Sequence, residues 1–272
     1  MACLEAFKAE FTRRKVFFQD ATQRELSAPR FCSHQGWILG HTFFRVSAFL
    51  LSLITTIVDD ATADTYGLSY IYLTTWSFLS LTIYFLFASI SSVYYLCTQR
   101  AARRKLHADS SETASQENSE TVQGIEETPL PWFMKIQWIF YNIALPSSGL
   151  VTVTYWGVFY SDQDITYNNI AVHVINFVLM VTEQYISSVN TRILHFYQPV
   201  IFGLSYACFT IILWRVAGTI VYPVIDWENT PGLAAIFVLG IVFVYIIAQF
   251  ILFLISYGLT VCSRKYNLIE RD

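Results

Sequence analysis

The chain is 272 residues long, 54% hydrophobic and only 14% charged, with a net charge of −3. Together with a positive mean hydropathy, that balance excludes a soluble enzyme with a charged shell and a basic nucleic-acid binder, and it places the chain among membrane proteins.

Crossing about 30 Å of hydrocarbon takes roughly 20 apolar residues at 1.5 Å each. Runs of that length fall near 37–58, 70–97, 136–160, 169–188, 199–218 and 232–260. The expected fold is all-α, a polytopic integral membrane bundle of six transmembrane helices. Its domains would be a cytosolic N-terminal segment (1–36), helices 1 and 2 (37–97), an acidic disordered cytosolic linker (98–133), helices 3 to 6 (134–260) and a cytosolic tail (261–272).

The N-terminal segment carries Lys8, Arg13, Arg14, Lys15, Arg24 and Arg30 and lacks the continuous apolar stretch of a cleavable signal peptide, so the first span would serve as its own insertion signal. Arg45, two turns into that span, is expected to snorkel to the cytosolic surface. The second span starts with YLTTW, which holds Thr74 and Thr75, and ends at the basic group RAARRK beside Cys97, a residue that, like Cys262, sits at a membrane end suited to palmitoylation. From Asp109 to Thr128 six acids, seven hydroxyl residues and no base give a stretch too polar to order itself.

In the third span, Pro146 with Ser147, Ser148 and Gly149 marks an expected kink, and Asn142 is expected to bond a neighbouring helix. The fourth span raises the sharpest question. Asn169, His173, Asn176, Met180 and Glu183 recur at spacings of 4, 3, 4 and 3, which stacks them on one helical face. Ionisable groups in such spans point to the bundle interior or to a wet cavity and suggest function, although an amide or imidazole also serves simply as interhelical glue. Glu183 is expected to pair with Arg192 or another base, and His195 to sit in a headgroup-level belt. Arg215 closes the fifth span, and Asp226 follows in YPVIDW.

Orientation follows from the bases. Fifteen of the seventeen lie in the N-terminal segment, between spans two and three, between four and five, or in the tail, whereas the links 59–69, 161–168 and 219–231 contain none. Positive-inside reasoning puts both termini in the cytosol and those three links outside. Cys3, Cys32, Cys97 and Cys262 then fall on the cytosolic side, where disulfides are not expected. His173 and Thr74 each lie about four residues, on the order of 6 Å, below the outer surface. Arg215 and Asp226 fall on the same side, so hydroxyl, imidazole, guanidinium and carboxylate could gather at one membrane face.

The stretches YLTTW, WIFYNIALPSSGLVTVTYW, AVHVINFVLM, RILHFYQPVIFGLSY and VYPVIDW resemble the rolling stone proteins of animals, multipass membrane proteins implicated in myoblast fusion. The resemblance covers around two thirds of the chain and leaves out the N-terminal tail and the acidic linker. More distantly, the same stretch is similar to the androgen-induced membrane hydrolases, which cleave fatty acid esters of hydroxy fatty acids with an intramembrane threonine and histidine. That similarity implies Thr74 as nucleophile and His173 as base. Thr75 adds a second hydroxyl, and Val174 stands after His173 where those hydrolases tend to carry hydroxyl residues.

The chemistry implied is attack of a threonine oxygen, deprotonated by imidazole, on a lipid ester, with Asn176, Arg215 or Asp226 as substrate or oxyanion contacts. The other class of function is a non-enzymatic membrane component acting in cell fusion or membrane organisation. The expected partners are membrane lipids, with no nucleic acid and no cofactor or metal, in the plasma membrane or the endoplasmic reticulum. A rhomboid-type protease is excluded because Gly203-Leu204-Ser205-Tyr206 lacks the final glycine of its motif. A histidine-box di-iron enzyme is excluded because five scattered histidines are too few. No phosphate-cradling glycine loop is present.

Overall fold

Segments that face hydrocarbon must close their backbone hydrogen bonds internally, which leaves helix as the form for these long apolar runs. The computed structural model describes residues 7, 10, 11, 21–31, 34–62, 68–108, 129–160 and 167–269, and these are almost entirely helical. The acidic stretch 109–128, Cys3 and Cys32 lie outside the described residues.

Short helix α1 (Gln23–Ser27) is started by Thr22, whose hydroxyl accepts from the Glu25 N–H while the Glu25 carboxylate accepts from the Thr22 N–H, a reciprocal cap that satisfies two otherwise orphaned donors. Then come α2 (Gln35–Thr62), α3 (Leu73–Ala108) and α4 (Trp132–Thr154), which runs on into a π turn at Tyr155–Phe159. α5 (Tyr167–Ile170) passes through a second π turn, Ala171–Ile175, into α6 (Asn176–Ile186). α7 (Tyr197–Ala217) ends on Gly218, whose φ of 64° is the left-handed cap conformation that glycine adopts without strain. α8 (Pro231–Ile269) completes the order.

Four of these helical stretches are long and apolar enough to cross a membrane: Gln35–Ala61, Leu73–Ala102, Ile193–Ala217 and Pro231–Lys265. They sit differently in the bundle: 61% of the span window in α3 is buried, against 17% for the windows in α7 and α8. α3 packs most extensively on α4. Leu81, Tyr84, Phe85 and Ala88 of α3 meet Met134, Trp138, Tyr141 and Leu145 of α4, with Met180 of α6, and the three- and four-residue steps within each set are the signature of a helix face. Phe43, Val216 and Leu239 remain exposed, as apolar surface turned to lipid should be. α7 approaches α8 closely at Gly203, where a Cβ would stand 2.9 Å from the ring of Tyr245.

Several expectations are corrected here. α3 continues to Ala108 and α8 to Ile269, past the apolar runs that would have ended near 97 and 260. Arginine, lysine, alanine and leucine are good helix formers, so the helices outlast their hydrophobicity. Residues 98–108 and 132–133 are therefore helix rather than linker.

Arg45 does not snorkel. It is fully buried, donating from Nη2 to Glu183 Oε1 at 2.6 Å and to Ser187 Oγ at 2.9 Å, and from Nη1 to the Leu26 carbonyl at 2.9 Å and Ser92 Oγ at 2.8 Å. Glu183 also accepts from the Tyr84 hydroxyl at 2.7 Å and has His41 Nε2 at 3.4 Å. Its partner is thus Arg45 and not Arg192, which pairs with Glu10 at 3.3 Å. Two buried charges lose several kcal/mol of hydration each, and only such dense bonding offsets that loss. His195 likewise is buried: its Nδ1 lies 3.0 Å from Asn142 Nδ2, which makes Asn142 a link between segments.

The stretch 21–31 is not an outlying tail either. An antiparallel bridge joins Pro29 to Ser187, Arg30 Nε and Nη2 donate to the Ser187 and Val189 carbonyls at 2.9 Å each, and Gln137 Nε2 donates to the Leu26 carbonyl at 2.7 Å. The segment closes one end of the bundle. Glu183→Gln would leave the Arg45 guanidinium buried without its counter-charge, so the purified protein should lose on the order of 3–5 kcal/mol in denaturation. Adding Arg45→Met should restore part of it, and an unaltered melting temperature for Glu183→Gln would contradict this account.

Candidate functional site

The described residues of the three base-free links, among them Asp59, Ser69, Asn168 and Tyr222, border a cavity of about 560 Å³ at the other end of the bundle. That volume falls within the roughly 300–1,000 Å³ of small-ligand sites. Its wall takes residues from the end of α2, the start of α3, both π turns, α5, α7, the 219–230 link and α8.

The start of α3 is held by side chains rather than by an ordinary cap. The Leu73 N–H donates to the Tyr222 hydroxyl at 3.1 Å, Thr75 Oγ1 donates to the Ser69 carbonyl at 2.7 Å, and Trp76 Nε1 donates to the Tyr70 carbonyl at 2.9 Å. Thr74 and Thr75 both line the cavity, but their hydroxyls are engaged differently. Thr75 serves the turn before the helix, whereas Thr74 stands beside Tyr222, whose hydroxyl accepts from the adjacent Leu73 N–H. Burial raises the Tyr222 phenol above its ordinary value, so it is a neutral donor.

His173 arrives from the other side. It is 7% exposed and lines the same cavity, its ring lying on that of Tyr155 with centroids 3.6 Å apart and planes within 6°. Each of these two residues belongs to a π turn. A π turn widens the helix and shifts side chains off the regular register, a device frequent at functional sites. Thr152 Oγ1 donates to the His173 carbonyl at 2.6 Å. Among the described residues His173 Nδ1 has no hydrogen-bond partner.

The structure thus brings Thr74, Thr75 and His173 to one cavity. It does not bring the other candidates there. Asn176 is buried behind it, with Nδ2 3.4 Å from both Ser77 Oγ and the Val172 carbonyl. Arg215 lies over the Trp214 ring, 4.4 Å from its centroid, and does not line the cavity. Asp226 caps its own turn, accepting from the Glu228 and Asn229 N–H groups at 2.9 and 2.8 Å, and the bonds from Asn229 hold its carboxyl below the usual range. Instead, Tyr155, Tyr206 and Tyr222 line the wall. Tyr222 begins the stretch YPVIDW, in which Asp226 had drawn attention by its charge; the phenol carries no such mark in sequence.

The chain matches the family described as protein rolling stone over residues 5–269. It belongs to the rolling stone family. Protein rolling stone of Drosophila melanogaster is 23% identical over 271 residues, covering 96% of this chain and 88% of that one. No solved structure matches. The rolling stone match runs through the N-terminal segment and the acidic stretch, and so extends well beyond the two thirds expected from the short motifs. In this rolling stone chain residues 21–31 close the bundle end around Arg45, which gives that stretch a structural reason to belong to the family unit.

Thr152→Val removes the donor to the His173 carbonyl while keeping the side-chain shape. It should cost about 1 kcal/mol of stability, read as a lower melting temperature in detergent against wild type.

Proposed function

We propose that the chain is a six-span protein with both termini in the cytosol, and that the cavity at its outer end hydrolyses an ester lipid with Thr74 as nucleophile and His173 as base. Six spans are supported by lengths: Trp132–Phe159 and Tyr167–Ile186 reach about 40 Å and 30 Å at 1.5 Å per residue. Their polar side chains, among them Gln137, Asn142, Asn176 and Glu183, are buried in the bundle, so lipid need not meet them.

The observation that carries the hydrolase reading is that Thr74 and His173, 99 positions apart in sequence, line one cavity. In the reaction His173 takes the Thr74 hydroxyl proton as the oxygen attacks the ester carbonyl. The alcohol then leaves with that proton, and the acyl-threonine is cleaved by a water that His173 deprotonates, which releases the acid and regenerates Thr74. Thr74 is favoured over Thr75 because the Thr75 proton is committed to the Ser69 carbonyl. Tyr222, which lines the cavity with Thr74, would donate to the oxyanion, in the role that sequence had assigned to Asn176, Arg215 or Asp226. This is the chemistry implied by the similarity to the androgen-induced hydrolases, here supported by placement.

Purified protein given a long-chain fluorogenic ester should turn it over, and Thr74→Ala and His173→Ala should each lower the rate by about 10²-fold or more, with Thr75→Ala losing far less. If both leave hydrolysis unchanged, the cavity belongs to a non-enzymatic membrane component acting in cell fusion or membrane organisation. For the orientation, Asn229→Cys on intact cells should react with an impermeant maleimide, whereas Cys97 and Cys262 should react only after permeabilisation. The reverse pattern inverts the topology.

A further inference from the structure

The charge and the rings of the cavity select the head group of its ligand. Asp59 lines the wall, and no lysine or arginine does so among the described residues. The Asn168 amide donates to the Asp59 carboxylate and leaves its negative charge in place. Among the described residues of the links at this end stand Asp59, Asp60, Asp226 and Glu228 and no base, which biases the field there to negative. Arg215, the base nearest in sequence, is turned onto Trp214 instead.

The rest of the wall is rich in rings: Tyr72, Tyr155, Phe159, Tyr206 and Tyr222 all line it. Tyr222 is the hub, with ring centroids 5.4 Å from Phe159, 5.9 Å from Tyr72 and 6.5 Å from Tyr206. Aromatic faces carry negative charge density and attract cations, and methylated ammonium groups are the ligands that such rings hold best. A primary ammonium would need acceptors for three protons, whereas much of this wall is aromatic or aliphatic, with Phe159, Ile225, Phe237 and Ile241 beside the tyrosines. A quaternary ammonium needs none.

We infer that the cavity seats the quaternary ammonium head of an ester lipid between Asp59 and the tyrosine-rich wall, with the ester turned to Thr74. The inference rests on the ester-lipid reading of the site and narrows it. An ester bearing a free carboxylate, as esters of hydroxy fatty acids do, would bring an anion against Asp59 with no base to receive it.

The test is binding rather than turnover. Purified full-length protein in a neutral maltoside detergent is titrated by calorimetry with oleoylcholine, monoolein, oleate and free choline, using Thr74→Ala to prevent cleavage. Oleoylcholine should bind about tenfold more tightly than monoolein, with oleate and free choline weaker still. Asp59→Asn, which retains an oxygen for Asn168, and Phe159→Leu should each reduce the preference for oleoylcholine while leaving monoolein affinity unchanged. Oleate binding as tightly as oleoylcholine, or a preference that survives both substitutions, overturns the proposal. Free choline binding as tightly as oleoylcholine also overturns it, since the ligand would then be the head group and not the lipid. Because binding is read without hydrolysis, a cation preference in a protein that cleaves no ester would sink the hydrolase reading and leave the ligand assignment standing.

Discussion

The pairing of Arg45 with Glu183 is the constraint on which the bundle turns. Neither charge can be left alone away from water, and the bonds that satisfy them come from four separate elements: Tyr84 and Ser92 on α3, Ser187 after α6, the Leu26 carbonyl in α1, and the pair itself joining α2 to α6. Those elements are thereby fixed in register at one end of the bundle. α2 carries Arg45 in its first half and Asp59 near its end, about 20 Å further along at 1.5 Å per residue. The ion pair therefore sets where the far ends of the same helices lie, and that far end is where the cavity opens.

Much of this organisation is legible in sequence because it depends on quantities summed over many residues. Apolar run length locates the helices, and the stripe from Asn169 to Glu183 reads as a buried face because a 3.6-residue period survives one irregular turn. The depth shared by Thr74 and His173 follows from counting residues from a helix end. What stays hidden depends on single contacts between distant positions. Nothing in the local pattern ties Arg45 to a carboxylate 138 residues away, and a lone arginine near a span end is ordinarily free to snorkel. Capture of 21–31 by the bundle is hidden for the same reason, since its carbonyls, and not its side-chain pattern, do the bonding.

The π turns mark a different limit. TYWGVFY and AVHVI contain no residue that breaks a helix outright, and nothing in their periodicity signals an extra residue in the turn. Yet those turns present Tyr155 and His173 to each other. In a serine hydrolase triad a buried carboxylate orients the histidine. His173 is positioned by a stacked ring and by a threonine that bonds its backbone carbonyl, and in the hydrolysis we propose those contacts would stand where that carboxylate does.

One helix face thus holds polar residues in two settings, told apart by what they border. At the Glu183 end, Oε1 accepts from Arg45 and Tyr84, and the group has no capacity left for a ligand at that oxygen. At the His173 end the ring borders open space, and Nδ1 finds no hydrogen-bond partner among the described residues. Asn176 Oδ1 and Glu183 Oε2 on the same face also lack a hydrogen-bond partner among the described residues, so it is the open space beside His173 that sets its end apart. In the hydrolysis we propose, the imidazole that borders this space is the one able to reach a ligand. The face that pins the bundle at one end thus leaves its imidazole available at the other.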